Sequence, residues 1–273
     1  MKIERIWSIY FSPTGGTKKI VNLIAETIGK CLQKDVIELD YTRYDHRKKI
    51  YSFNREDLVI LGMPVYAGRI PNKILPDIES DFKGNKAMLI PVSVYGNRNF
   101  DDALMELKLV LENQGFQAIA AAAIVSPHAF STSLAAGRPD QTDVEEIRNF
   151  AKQTAKYLTE TDKIFSVTVM GNNPVAPYYT PLTETGSAAK FLKAKPITDL
   201  AKCDHCGICA QVCPMQSISH TDCTSISGIC IKCQACIRKC PQQAKLFIDE
   251  DFLSHVRMLE KNYHRRANNY FFF

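Results

Sequence analysis

Long apolar segments are scarce in this chain of 273 residues. The longest apolar run without a charge, 118–125, is far shorter than the roughly 20 residues that a helix needs to cross a bilayer. The first eleven residues interleave charged and apolar side chains, so they lack the continuous apolar core of a secretory signal peptide. We therefore expect a soluble, cytoplasmic protein without a transmembrane segment.

The chain also lacks the common nucleotide-binding signatures. It contains neither G-x-G-x-x-G nor G-x-x-x-x-G-K-[ST], which mark dinucleotide sites and P-loops. No second βαβ unit follows the first 160 residues. These absences argue against a dedicated nicotinamide dinucleotide site.

Cysteine is abundant and unevenly placed. Nine of the ten cysteines lie between Cys203 and Cys240, and eight of these nine follow a regular spacing. In a protein of the cytosol such crowding favours metal binding over disulfides. Cys31 and Cys223 lie outside this pattern, and we expect both to be ordinary buried thiols.

The clustered cysteines form one motif that occurs twice. Cys203-x2-Cys206-x2-Cys209-x3-Cys213-Pro214 is followed by Cys230-x2-Cys233-x2-Cys236-x3-Cys240-Pro241. This is the run of bacterial ferredoxins, in which three close thiolates hold one [4Fe–4S] cluster and the fourth closes the other. One cluster is then expected on Cys203, Cys206, Cys209 and Cys240, and the second on Cys230, Cys233, Cys236 and Cys213.

Zinc is the alternative. The pairs Cys206-x2-Cys209 and Cys230-x2-Cys233 have zinc-ribbon separations, but zinc leaves four cysteines and both prolines unexplained. A segment of this length also has little apolar core of its own, so bound clusters should stabilise its fold.

Apolar runs and amphipathic segments alternate over residues 1–160. The pattern predicts strands at 3–11, 35–40, 58–61, 86–94 and 117–125, and helices at 18–32, 101–113 and 143–158. This alternation indicates an α/β domain with a doubly wound, five-stranded parallel sheet. The strand order 2-1-3-4-5 of flavodoxin-like folds accommodates it, with a ligand beyond the carboxyl ends of the strands.

Three loops at those strand ends carry unusual residues. Ser12-Pro-Thr-Gly-Gly-Thr17 combines glycines and hydroxyls directly before a helix, as a phosphate site requires. The loops 62–71 and 93–99 each place a tyrosine beside a glycine, so that an aromatic ring and free backbone N–H groups could meet a flat ligand. Residues 41–49 mix tyrosines with basic side chains and are interpreted as a solvated loop, with partner docking as the alternative.

These loops resemble those of bacterial and archaeal proteins that fuse a flavodoxin domain to a two-cluster ferredoxin. The resemblance covers essentially the whole chain. It implies that the FMN phosphate is bound by Ser12, Thr14, Gly15, Gly16 and Thr17. It also implies that the isoalloxazine ring is surrounded by Pro64, Val65, Tyr66, Ala67, Gly68, Tyr95, Gly96, Asn97 and Arg98.

Two further side chains have alternative interpretations. Arg98 is either a cation near the flavin pyrimidine, which would raise the flavin potential, or a solvated loop residue. His128 either approaches the flavin rim or serves as a hydrogen-bonded structural histidine.

The expected organisation has four parts. Residues 1–160 form the flavodoxin-like FMN domain, 161–194 a wrapping linker, 195–250 a small α+β ferredoxin-like domain, and 251–273 a C-terminal tail. The tail ends in three phenylalanines, which could dock on the protein itself, on a partner or at a membrane surface, or stay disordered.

The function expected from these features is electron transfer between FMN, two [4Fe–4S] clusters and a protein donor or acceptor. A flavin-dependent reductase of a small substrate and a redox or oxygen sensor are the alternatives. The formal charge of +5 is no argument for nucleic acid, since anionic clusters and a flavin phosphate offset it. The sequence leaves a homodimer open.

The crossed cysteine assignment can be tested directly. Cys213→Ser should damage the cluster held by Cys230, Cys233 and Cys236, because the fourth cysteine of each motif serves the other cluster. Iron analysis and an anaerobic crystal structure of the variant locate the damage, with Cys223→Ser as the control outside both motifs. Damage at the site of Cys203, Cys206 and Cys209 would contradict the assignment.

Overall fold

The computed structural model describes residues 2–161 and 165–273. Residues 162–164 of the predicted linker lie outside the described residues, as does Met1. The described strands are β1 (Arg5–Tyr10), β2 (Val36–Asp40), β3 (Tyr51–Ser52), β4 (Asp57–Pro64), β5 (Phe82–Lys83), β6 (Met88–Tyr95), β7 (Gln117–Ala118), β8 (Ala121–Val125), β9 (Ile197–Thr198), β10 (Lys245–Leu246) and β11 (Tyr270–Phe272). The α-helices are α1 (Gly16–Leu32), α2 (Leu75–Asp81), α3 (Ala103–Asn113), α4 (Gln141–Glu160), α5 (Ile208–Gln211), α6 (Ala235–Arg238) and α7 (Glu250–Asn262).

The central sheet has the order β2-β1-β4-β6-β8-β11, with the short β7 also paired to β6. The five strands from β2 to β8 are parallel, so the predicted order 2-1-3-4-5 is confirmed. The segment predicted as one strand at 117–125 is interrupted, and only its second part reaches the carboxyl edge of the sheet.

Apolar layers cover both faces of the sheet. On one face α1 and α4 bury Ile24 and Phe150 against β1, β4 and β6. On the other face α3 and the loop residue Phe53 pack over the same strands. The central strands are therefore continuously apolar, as expected where both faces are buried. Cys31 lies on the outer face of α1 and is exposed, contrary to the sequence-based expectation.

The C-terminal tail completes the sheet. β11 pairs antiparallel with β8, an edge that the five-strand prediction had left open. Its side chains alternate between the two layers. Phe271 packs on Phe150 with the ring centroids 5.1 Å apart, and Tyr270 lies 5.3 Å from Phe100 on the opposite face.

The loop 41–49 is not simply solvated, contrary to expectation. Arg47 is buried, pairs with Asp77 at 3.2 Å and donates a hydrogen bond to the carbonyl of Pro214, beside Cys213. From the other side, Arg238 of α6 donates to the carbonyl of Ser131 at 2.6 Å. Two arginines thus join the cysteine-rich segment to the flavodoxin-like part.

The cysteine-rich segment has the predicted small α+β form. β9 and β10 pair antiparallel, and the short helices α5 and α6 each lie within one cysteine motif. No helix among the described residues is both long enough and apolar enough to cross a membrane.

The contribution of β11 to the stability of the fold can be measured. Phe271→Ala should lower the free energy of unfolding by about 2 kcal/mol, because it removes an aromatic contact from the core layer. Phe273→Ala is the comparison: Phe273 also lies 5.3 Å from Phe150, but it is 60% exposed and should contribute less. Anaerobic urea unfolding of the holoprotein gives both values, and equal losses would argue against a structural role for the strand.

Candidate functional site

The principal cavity lies beyond the carboxyl ends of β1, β4, β6 and β8, where the fold places ligands. It is lined by Ser12, Pro13, Thr14, Gly16, Thr17, Pro64, Val65, Tyr66, Ala67, Gly68, Val94, Tyr95, Gly96, Arg98, Asn99, Ser126, Pro127, His128, Ala129, Phe130, Tyr179, Pro181, Phe191, Ile231, Lys232, His255 and Leu259. We call it the flavin cavity, after the cofactor that the sequence predicts there. Of the residues predicted to surround a cofactor, all except Gly15 and Asn97 line it.

The loop after β1 has the geometry of an anion site. Gly15 adopts a left-handed conformation (φ 96°) and is the N-cap residue of α1. Ser12 Oγ accepts a hydrogen bond from Lys18 N at 2.9 Å. The backbone N–H groups of Gly16 and Thr17 make no hydrogen bond to any described residue. Free N–H groups at the N-terminus of a helix suit a phosphate, so these residues fit the predicted group.

Gly16 is also required for packing. A Cβ atom there would lie 2.2 Å from Ser126 Oγ, in the loop that follows β8. The phosphate loop and the β8 loop therefore approach each other more closely than any residue other than glycine at position 16 would allow.

Asn97 does not reach the flavin cavity. Its amide donates to the carbonyls of Tyr263 and Arg265 and accepts from the N–H of Ala267 at 3.2 Å. Tyr95 lines the cavity, but its hydroxyl donates to the carbonyl of Asn268. Both side chains hold the returning C-terminal segment, an interaction that the loop motif alone could not reveal.

Tyr66 and Arg98 are held at the wall of the flavin cavity. Burial raises the pKa of Tyr66 well above its usual value, and the neighbouring Cys233 and Cys230 add to that rise. Arg98 pairs with Asp101, and its guanidinium stacks over Tyr179 at 4.1 Å. Arg98 is therefore fixed rather than freely solvated, and Tyr66 lies towards the cysteines.

Two histidines line the same cavity. His128 accepts a hydrogen bond from Phe130 N at Nδ1 (3.1 Å), so a neutral ring carries its proton on Nε2. Burial lowers the pKa of His128 to about 4, which keeps the ring neutral at pH 7. His255 donates from Nδ1 to the carbonyl of Leu182 at 2.8 Å, and burial lowers its pKa as well.

His255 and Tyr179 were not predicted from the sequence. Tyr179 belongs to the linker, where its N–H donates to Ala67 O at 2.8 Å, and His255 belongs to α7. No short sequence motif marks either residue, because each is brought to the cavity by contacts with residues that are distant in the sequence.

The eight motif cysteines line two smaller cavities. The outer cysteine cavity is lined by Cys203, Cys206, Cys209 and Cys240, together with Cys223 and Lys245. The inner cysteine cavity is lined by Cys213, Cys230, Cys233 and Cys236 and by apolar residues such as Met215, Ile218 and Phe247. Each cavity offers four thiols from both motifs, a donor set that suits a [4Fe–4S] cluster.

The two cysteine cavities differ in depth. Cys206 of the outer cavity is exposed, whereas Cys233 of the inner cavity is buried. Burial raises the pKa of the Cys230, Cys233 and Cys236 thiols, that of Cys236 to about 12. Thiolates there need the positive charge of a bound metal.

Cys223 is a ninth thiol at the outer cavity. The ligand atoms of Cys203, His205 and Cys223 all lie within 4.8 Å of one another. Cys223 is buried, as expected from the sequence.

Comparison with known proteins supports the description of the cysteine-rich segment. Residues 196–219, which contain the first cysteine motif, match the model of the 4Fe-4S binding domain. No curated protein matches the chain in sequence. The protein therefore combines a 4Fe-4S segment with a fold of flavodoxin-like strand order.

Solved structures similar to the chain include three redox proteins. A flavodoxin from the domain Archaea is 15% identical, with 58% of this chain and 100% of that chain covered and a TM-score of 0.40. Two-electron reduced Megasphaera elsdenii flavodoxin is 19% identical (55% and 98% covered, TM-score 0.36). Rubredoxin oxygen:oxidoreductase from Desulfovibrio gigas is 15% identical (58% and 37% covered, TM-score 0.40). The fold assignment itself rests on the strand order.

The shape of the flavin cavity depends on Gly96. A Cβ atom there would lie 2.4 Å from Cδ2 and 2.8 Å from Cα of His128, so Gly96→Ala must push the β6 and β8 loops apart. We expect a loss of about 1–3 kcal/mol in stability and at least about tenfold weaker binding of added FMN to the apoprotein, measured by fluorescence titration.

Gly137→Ala is the control. Gly137 has a left-handed backbone (φ 78°) with open space around it, so alanine there costs about 1 kcal/mol without touching the cavity. Wild-type FMN affinity in Gly96→Ala would show that the cavity is not the flavin site.

Proposed function

We propose that this protein is an electron-transfer flavo-iron–sulfur protein with FMN in the flavin cavity and a [4Fe–4S] cluster in each cysteine cavity. Cys203, Cys206, Cys209 and Cys240 hold the outer cluster, and Cys213, Cys230, Cys233 and Cys236 the inner one. FMN exchanges two electrons and each cluster one, so their combination links two-electron to one-electron chemistry.

The contact between the inner cysteine cavity and the flavin cavity carries this proposal. Ile231 and Lys232 line both cavities, and they separate Cys230 from Cys233 in the chain. Tyr66, a flavin-cavity residue, lies close enough to Cys230 and Cys233 for their charges to raise the pKa of its phenol. One layer of side chains thus divides the two sites, so electrons need no external carrier between them.

The exposure of the cysteines indicates at which cluster electrons enter or leave the protein. The outer cavity reaches the surface at Cys206, while the wall of the flavin cavity includes Tyr179, Phe191 and His255 from the linker and α7. A protein partner therefore exchanges electrons at the outer cluster, and the inner cluster connects it to FMN.

Reduction of a small substrate at the flavin is the second candidate. His128 and His255 support it, because both line the flavin cavity and are neutral at pH 7. The Nε2–H of the neutral His128 ring can donate a hydrogen bond to a bound molecule, a contact that a pure electron carrier does not need. Reoxidation of the flavin by a small substrate without any protein acceptor would promote this candidate.

Composition tests the cofactors first. We expect about eight iron atoms, an equal amount of acid-labile sulfide and one FMN per anaerobically purified chain. One cluster, or zinc in place of iron, would refute the two-cluster proposal.

The electron source is tested by anaerobic stopped flow at the flavin absorbance band. NADH or NADPH alone should reduce FMN slowly, and a reduced ferredoxin-type donor should reduce it rapidly and in a salt-dependent manner. Cys206→Ser should slow the reaction with the protein donor, because it removes the exposed ligand, whereas Cys223→Ser should not. Rapid, saturable bleaching by a pyridine nucleotide alone would overturn this function in favour of an enzyme.

A further inference from the structure

Lys245 is a buried cation without an acidic partner. It begins β10 and is only 3% exposed. Its Nζ donates to Thr198 Oγ1 at 2.6 Å and to the carbonyl of Cys223 at 2.7 Å, both neutral oxygens. None of the ion pairs within residues 2–161 and 165–273 includes Lys245, and Asp222, which feels its charge, is exposed.

Such an arrangement calls for a counter-ion. Charged side chains are rarely fully buried unless they are paired, because removing an ammonium group from water is costly and two neutral oxygens replace only part of its hydration. Among the described residues no carboxylate pairs with Lys245: Asp204 also lines the outer cysteine cavity, but it is exposed and accepts hydrogen bonds from Cys206 N and Gln242 Nε2. The negative charge must therefore come from something else that occupies the region.

The location of Lys245 identifies that counter-ion. Lys245 lines the outer cysteine cavity together with Cys203, Cys206, Cys209 and Cys240. Its charge opposes the rise that burial causes in the pKa of the Cys209 thiol, and does the same at Cys236 of the inner cavity. Lys245 therefore acts on thiols of both cavities and directly borders only the outer one.

We propose that Lys245 is the buried counter-charge of the outer iron–sulfur cluster and raises the reduction potential of that cluster. The inference rests on the proposed function, since it requires a cluster in the outer cavity. Reduction adds one electron from the donor protein and no proton, so the reduced cluster carries one more negative charge beside the Lys245 ammonium group. A nearby cation stabilises the more negative state, and little solvent screens the interaction at a buried site.

Two substitutions separate charge from hydrogen bonding. Lys245→Gln removes the charge and keeps an N–H donor, whereas Lys245→Arg keeps the charge. Lys239→Gln is the matched control, because Lys239 is an exposed lysine of the same segment and water screens its charge. Potentials are read from anaerobic, EPR-monitored redox titrations of the holoprotein.

We expect the Gln variant to make reduction of one cluster about tenfold less favourable, which corresponds to about 59 mV for a one-electron couple. The other cluster should shift less, and Lys245→Arg and Lys239→Gln should stay near wild type. Unchanged potentials in Lys245→Gln, or equal shifts in the Gln and Arg variants, would overturn the proposal.

Loss of iron is also informative. Loss of the outer cluster in Lys245→Gln but not in Lys245→Arg supports the proposal. In that case the variant that keeps the charge keeps the cluster, and the variant that lacks the charge loses it. Loss in both variants contradicts it and indicates a packing role. Iron and sulfide analysis of the wild-type protein comes first, so failure of the two-cluster function is recognised before any variant is compared.

Discussion

The hydrogen bonds that return the C-terminal segment to the sheet hold the molecule together. β11 covers the open edge of β8, and Asn97 binds three backbone groups between Tyr263 and Ala267. Arg138, buried and paired with Asp143, donates to the carbonyl of Ala267 at 3.1 Å. The chain therefore leaves the flavodoxin-like part after α4, forms the cysteine-rich segment and is fastened again to the same sheet. Both ends of that segment are fixed, which sets its position over the flavin cavity.

That position explains why the cavities are arranged in series. Arg47 and Arg238 bridge the two parts through the carbonyls of Pro214 and Ser131, so the inner cysteine cavity faces the flavin cavity and the outer one faces solvent. A free flavodoxin-like domain would leave this edge of its ligand cavity open to partners. Here linker and helix residues form part of its wall, and under the proposed function the cysteine-rich segment carries electrons to it.

Electrostatics gives the two cysteine cavities different characters. The inner cavity is lined mostly by apolar side chains, and burial together with the neighbouring cysteines raises the pKa of the Cys230, Cys233 and Cys236 thiols. The outer cavity combines an exposed cysteine with a buried, unpaired lysine. Because the reduction potential of an iron–sulfur cluster depends on burial and nearby charge, the two clusters of the proposed function would have different potentials despite identical ligand sets.

The sequence by itself determined the features that depend on local spacing. The two cysteine motifs, the glycines of the phosphate loop and the period of each core element are readable because neighbouring residues suffice to define a tight turn, a helix face or a buried strand. What the tertiary structure alone decided involves partners far apart in the chain. Asn97 was assigned to the flavin ring but binds residues near 265, and the terminal phenylalanines form an edge strand. The environment of His255 and Lys245 is set by their burial, which depends on how the whole chain packs rather than on any short sequence pattern.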